Sequence, residues 1–234
     1  MGEEAKVNWP EWTSPDGRIR LICADCLEVR DSLSPVDAVI SDPPYGMAND
    51  CDYTRFTMGP NGHGKASSRF YESVIGDDQP FDPSPWLDYE RVVMFGSNHF
   101  AARLPVGTTL VWIKRFDGGF GSFLSDAEVA WMKGGHGVYC HRDTSLFGET
   151  NKRAHPTQKP IGLMAWCMER AKVPDDGLVL DPFAGSCTTA IACIRTNRRC
   201  IAIERERKYW EIGIERCKAE YARTVLFDRA EVVA

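Results

Sequence analysis

The sequence predicts an α/β domain, and three observations predict it. An apolar run at residues 36–40 reads as a buried strand, ending at Ser41 and followed by Asp42-Pro43-Pro44-Tyr45. A second run, Leu178-Val179-Leu180, enters the small-residue turn Asp181-Pro182-Phe183-Ala184-Gly185-Ser186-Cys187-Thr188-Thr189 and then a helical pattern at 190–195. Strand, turn and helix in that order form the layout of a nucleotide-type cofactor site. With 234 residues, 43% of them hydrophobic, the chain can bury one sizeable core, so it reads as a single domain over 1–234 with insertions.

Taken in order, the stretch to about Gly17 is unpatterned, residues 18–23 read as a strand, and a short helical segment precedes the strand at 36–40. Residues 48–82 show little periodicity around Gly59-Pro60-Asn61-Gly62-His63-Gly64-Lys65. A polar insertion of that length directly after Tyr45 reads as a lid over a bound target, with His63 and Lys65 in reach of phosphate and a flexible linker as the plainer alternative. Strands follow at 91–95, 110–113, 128–132 and 137–140, and a helix opens near Pro160 carrying Leu163, Trp166 and Arg170. A strand at 200–203 ends in Glu204, and Trp210, Ile214, Cys217 and Tyr221 recur at helical spacing as a core stripe. Segment 115–151 is the candidate target reader, because both motif regions are committed to chemistry; its His136, His141 and Arg142 also read as ordinary loop residues.

Asp42-Pro43-Pro44-Tyr45 at a strand's C-terminal end suits alkylation of an aromatic amine, whose lone pair is delocalised and poorly nucleophilic. The Asp42 carboxylate and the Pro43 carbonyl can each accept an amine hydrogen, favouring a tetrahedral nitrogen and stabilising its growing positive charge. Proline's fixed φ holds that carbonyl still. Tyr45 offers a face for an extruded base, a contact worth about 1–3 kcal/mol. Alone, the tetrapeptide also reads as a proline-rich turn with a capping aspartate. In the second motif, Ala184 and Gly185 permit close backbone approach, and Glu204 lies about 20 residues on, where an acidic side chain commonly holds ribose hydroxyls. Neither GxGxxG nor GxxxxGK[ST] occurs, which disfavours a dinucleotide or a triphosphate.

DPPYG, then HPTQKP at His155 to Pro160, then DPFAGSCTT, in that order, resembles the β-class amino-methyltransferases of DNA over roughly residues 21–221. The resemblance implies a Rossmann-like, mostly parallel sheet with helices on both faces, permuted so that the catalytic strand precedes the cofactor strand, and S-adenosylmethionine as methyl donor. It makes Asp42, Pro43, Pro44 and Tyr45 the target-amine site, with Asp42 also bordering the cofactor. Asp181, Phe183, Ala184, Gly185 and Ser186 become the cofactor turn and Glu204 the ribose ligand. Asp25, in Ala24-Asp25-Cys26-Leu27, becomes a contact near the cofactor's adenine, with Ala24 replacing the usual glycine; Thr157, Gln158 and Lys159 would line its methionine end. Cys187 stands where glycine is common, which bears on the tightness of the turn. In that family DPPY usually accompanies adenine N6 and SPPY cytosine N4, so adenine in duplex DNA is the expected target. The alternatives are N4 of cytosine, an RNA or protein amide, and a binding module without turnover.

The net charge of −5 is unusual for a DNA enzyme, so phosphate contacts would have to come from clusters such as Lys114-Arg115 and Lys152-Arg153, which flank the segment between the motifs. The pairs around Arg195, Arg199 and Arg205 read as solvated helix ends. Nine scattered cysteines fit a reducing compartment, and Cys23 and Cys26 lack a second pair at zinc spacing, so no metal is expected. Without an apolar leader or a membrane-length run, a cytoplasmic location is expected. A homodimer is a family inference only; a paired nuclease is left open.

Overall fold

The computed structural model describes residues 8–47, 75–121, 125–146 and 158–231, the side chains of 224–231 excepted. Its strands are β1 (Glu11–Thr13), β2 (Ile19–Cys23), β3 (Ala38–Ser41), β4 (Val92–Phe95), β5 (Gly107–Ile113), β6 (Ala127–Arg142), β7 (Leu178–Asp181) and β8 (Arg199–Glu204). They form one sheet in the order β1-β2-β8-β7-β3-β4-β6-β5. The central pairs are parallel: Val39 faces Val92 and Leu180, Leu180 faces Ile201, and Leu21 faces Ala202. Every residue of β3 and β4 is buried, which is why these strands read as continuous apolar runs. Outward from the middle the chain runs β3 to β4 on one side and β7, β8, β2 on the other. The reversal of strand order therefore falls between β3 and β7, and the strand carrying Asp42 precedes the strand carrying the glycine turn, as the permuted order requires.

The helices are α1 (Cys26–Arg30), α2 (Ile161–Arg170), α3 (Thr188–Arg195) and α4 (Arg207–Glu231). Alternation along β4 splits the core: Val93 and Phe95 join Leu163, Met164, Met168, Ile191 and Trp210 of α2, α3 and α4, while Val92 and Met94 join Val29 of α1 with Trp86 and Phe100. Both faces are covered, the second mostly by α1 and short 3-10 turns at 84–86 and 97–103. Among the described residues no helix is long and apolar enough to cross a membrane.

β6 is two arms. The first pairs Thr108 with Met132 and Val111 with Val129, running against β5; the second pairs Thr109 with Val138 and Ile113 with Arg142, running with it. The expected strands at 128–132 and 137–140 are these arms. Between them the chain steps over the start of β5 through Gly134 and Gly135, both at positive φ (80° and 66°); a Cβ on Gly135 would stand 2.6 Å from Thr108 Oγ1. The outer arm is held to α2 by His141 stacked on Trp166 at 4.9 Å and by Arg170 over the Tyr139 ring at 3.6 Å. Much of the candidate reader is therefore sheet, leaving its 3-10 turn at 117–119, the glycine turn and the outer arm as surface. β1, in the stretch that carried no pattern, pairs antiparallel to β2 through Trp12 and Leu21 and is tied by Arg20 to Glu11 at 2.8 Å.

Candidate active site

Parallel strands present their C-terminal ends together, and here the two motifs meet there. Ser41 Oγ donates to Asp181 Oδ1 at 2.5 Å, joining positions 140 residues apart across the β3–β7 seam. Beyond Ser41 the chain is shaped by Asp77, a buried residue whose Oδ1 accepts the N–H groups of Tyr45, Gly46 and Met47 at 3.1, 3.0 and 3.2 Å. Asp77 belongs to the segment expected as a lid; residues 48–74, with His63 and Lys65, lie outside the described residues, and 75–82 brace the motif. Tyr45 packs on Gly96, which follows β4 at φ 69°; a Cβ there would lie 2.0 Å from Tyr45 Cε1. The exposed His99 ring stacks on Tyr45, centroids 5.1 Å apart and planes 13° from parallel, with its Nε2 3.0 Å from Asn98 Nδ2. Neither Asp77 nor His99 carried a sequence signal, since both reach Tyr45 only through sheet order.

Both Asp42 oxygens are engaged. Oδ1 accepts the Tyr45 hydroxyl at 2.5 Å and Oδ2 accepts Lys159 Nζ, which also lies 3.4 Å from the Tyr45 oxygen. Lys159, expected beside the cofactor's methionine end, is thus placed on the Asp42 carboxylate. Its ammonium stands 3.1 Å from Glu128 Oε2, and Glu128 Oε1 accepts Lys114 at 3.0 Å. Burial pushes the Asp42 carboxyl up despite the adjacent Lys159. Burial would lower the Lys159 ammonium, but Asp42 and Glu128 overcome it and hold the group charged. For Glu128, burial is outweighed by Lys159 and Lys114, and its carboxyl falls to about 2. Lys114, expected on phosphate, is a correction: the end of β5 lies beside the start of β6, so its charge is spent on Glu128, and Arg115 pairs with Asp126 at 3.2 Å.

In the glycine turn Asp181 accepts the Phe183 N–H at 3.2 Å as well as Ser41, and burial raises its carboxyl to about 6 against hydrogen bonds from Ser41 and Thr189. Glu204, ending β8, accepts the Gly185 N–H at 2.7 Å and the Glu206 N–H at 2.8 Å; burial raises it to about 7 against both. Cys187 takes the left-handed conformation (φ 62°) a glycine would favour, and its thiol lies where a Cβ on Gly213 of α4 would come within 2.3 Å. The turn therefore forms with cysteine in place, locked by α4. Arg216, which carried no sequence signal, donates to the Ser186 carbonyl and to Ser186 Oγ at 2.7 Å. Asp25, at the end of β2, caps α1 by accepting the Leu27 N–H at 2.9 Å and lies 3.9 Å from Arg205. Ala184 and Phe183 lie on the same turn, and Pro43 and Pro44 lead from Asp42 to Tyr45. Gln158 precedes Lys159, while Thr157 and the Lys152-Arg153 pair lie outside the described residues. Arg195 at the end of α3 is held by Glu220 at 2.8 Å and Arg207 at the start of α4 by Glu211 at 3.0 Å, whereas Arg199, expected at a helix end, opens β8 and pairs with Asp176 at 3.6 Å.

The DNA methylase family matches residues 111–215, from β5 into α4. YubD of Escherichia coli (strain K12), named as a methylase without a stated target, is 39% identical over 214 residues, covering 86% of this chain and 90% of that protein. The type II methyltransferase M2.MboI of Moraxella bovis is 43% identical over 68 residues, which is 29% of this chain and 24% of that protein's length. Among solved structures, M1.HpyAVI in complex with S-adenosylmethionine superposes with a TM-score of 0.54 at 20% identity, over 85% of this chain and 98% of that one. The cytosine-N4-specific PvuII DNA methyltransferase gives 0.54 at 15% identity, over 92% and 96%. At those identities the two structures establish the fold, and YubD, nearly end to end, establishes the family: this chain belongs to the N6/N4 amino-methyltransferases of DNA.

Proposed function

We propose that this chain methylates N6 of an adenine turned out of duplex DNA, with S-adenosylmethionine as donor. The observation that carries the reading is the tie from Ser41 to Asp181, which sets the Asp42 carboxylate and the glycine turn side by side at the reversal of strand order. The donor set fits that cofactor. Glu204 and Asp25 offer carboxylates for hydroxyls and an exocyclic amine at neighbouring strand ends, and the described turn has no lysine of the kind a triphosphate requires. When bound, S-adenosylmethionine supplies an electrophilic methyl group on a positively charged sulfur.

Asp42 and the Pro43 carbonyl accept the two amine hydrogens and turn the nitrogen lone pair out of the base's π system. That pair would then be free to take the methyl group the bound donor supplies, whose S–C electrons would stay on sulfur, and the surplus amine proton would pass to Asp42. A carboxyl raised by burial suits that acceptance. Tyr45, held from behind by Gly96, supplies the stacking face, and the exposed His99 ring marks it as a surface that takes planar partners. The same geometry would serve N4 of cytosine, the specificity named for the PvuII enzyme; DPPY in place of SPPY is what favours adenine. The test is Asp42→Ala. Transfer to DNA is expected to vanish with cofactor affinity kept within a few-fold, and a comparable loss of cofactor binding would overturn these roles.

A further inference from the structure

Asp42 faces a conflict of occupancy. If it accepts the target amine, as proposed above and on which this inference rests, the amine meets a carboxylate whose oxygens already take the Tyr45 hydroxyl and the Lys159 ammonium, and a nitrogen gaining positive charge is repelled by an ammonium held on the same carboxylate. The Lys159 side chain is 5% exposed, and an ammonium buried to that degree needs a carboxylate partner. Among the described residues the other carboxylate it touches is Glu128. Oε2 of Glu128 is buried and lies 3.1 Å from the ammonium as an ion pair, while the lysine's closer contact is with Asp42. The other Glu128 oxygen is fixed by Lys114, so the carboxylate stays in place.

We propose that Glu128 is a positioning residue for methyl transfer: it receives the Lys159 ammonium as the target amine takes its place on Asp42. Two carboxylates and two ammoniums make the group neutral, so the shift from Asp42 to Glu128 leaves no charge stranded. Glu128 never touches the base; it acts through Lys159 by clearing the acceptor.

The experiment is single-turnover methylation of bulk unmethylated bacterial DNA with tritiated S-adenosylmethionine and excess enzyme, in a double-mutant cycle. Glu128→Gln keeps the shape but weakens the acceptor, and the rate should fall about 10- to 100-fold with cofactor affinity little changed. In a Lys159→Met background nothing needs to be received, and the same substitution should change the rate less than about twofold. A wild-type rate in Glu128→Gln, or the same loss in both backgrounds, overturns the proposal. Should Glu128→Gln fail to fold, Glu128→Asp replaces it, drawing the carboxylate back by one methylene; a reduced rate supports the role and a wild-type rate overturns it. Asp42→Ala run beside these variants separates the two claims. Transfer surviving in Asp42→Ala brings down the amine-site reading itself, whereas the outcomes above bring down Glu128 alone.

Discussion

Gly96→Ala perturbs the proposed target site while leaving the glycine turn and Glu204 in place. The added Cβ would stand 2.0, 2.2 and 2.5 Å from Cε1, Cδ1 and Cζ of Tyr45, so the ring must withdraw by more than about 1 Å to reach van der Waals distance. The φ of 69° adds about 1–2 kcal/mol for any residue with a Cβ. Withdrawal breaks the 2.5 Å bond to Asp42, of the charged class worth about 1.5–3 kcal/mol, and the stack on His99, worth about 0.5–1.5 kcal/mol. If the ring is the stacking face for the base, about 1–3 kcal/mol of base binding is lost, roughly 5- to 150-fold in kcat/KM. The assay is initial-rate methylation of unmethylated DNA, with cofactor affinity measured by calorimetry on the same sample. Cofactor affinity within about threefold of wild type is expected, because the glycine turn sits on β7 and Gly96 follows β4. Transfer within twofold of wild type would refute the placement of Tyr45 as the base platform.

Two further outcomes follow from the cofactor side. Gly213→Ala would bring a Cβ within 2.3 Å of the Cys187 thiol, overpacking worth about 1–3 kcal/mol; it should lower the melting temperature and weaken cofactor binding, with Cys187→Gly in the same chain restoring both. Unchanged melting would show that α4 does not lock the turn. Glu204, raised by burial to about 7 from an ordinary 4.5, favours its protonated form in the fold, so its stabilisation is full below about pH 4.5 and lost as pH rises to about 7. The cofactor-free protein should lose on the order of 2–3 kcal/mol of unfolding free energy across that window relative to Glu204→Gln, measured by denaturant titration. Parallel pH curves for the two proteins would contradict the burial of that charge.

The central strands were legible because burial on both faces leaves an unbroken apolar run, as in Ala38-Val39-Ile40 and Val92-Val93-Met94, and because each motif sits where such a run stops. β1 was not, being three residues of edge strand with the pattern Glu-Trp-Thr. The site's supports were hidden for another reason. Asp77, Gly96 and His99 meet Tyr45, and Lys114 and Glu128 reach Asp42 through Lys159, only once the chain around β4, β5 and β6 takes its place in the sheet, and no local spacing encodes that order. Lys114 shows the consequence. Beside Arg115 it reads as a basic surface pair, yet β6 runs back along β5 and brings Glu128 to it. Lys159 likewise reads as part of a cofactor-lining motif, and the fold turns its ammonium onto Asp42.

The measurement that tests the central claim most directly is the fate of the methyl group. The purified protein is incubated with unmethylated duplex DNA and isotopically labelled S-adenosylmethionine, the DNA is digested, and the labelled nucleosides are identified by mass spectrometry. The account predicts label in N6-methyladenine, lost in Asp42→Ala. Label in N4-methylcytosine would contradict the choice of base while keeping the amine chemistry, and DNA without label from protein that binds the cofactor would contradict the account as a whole.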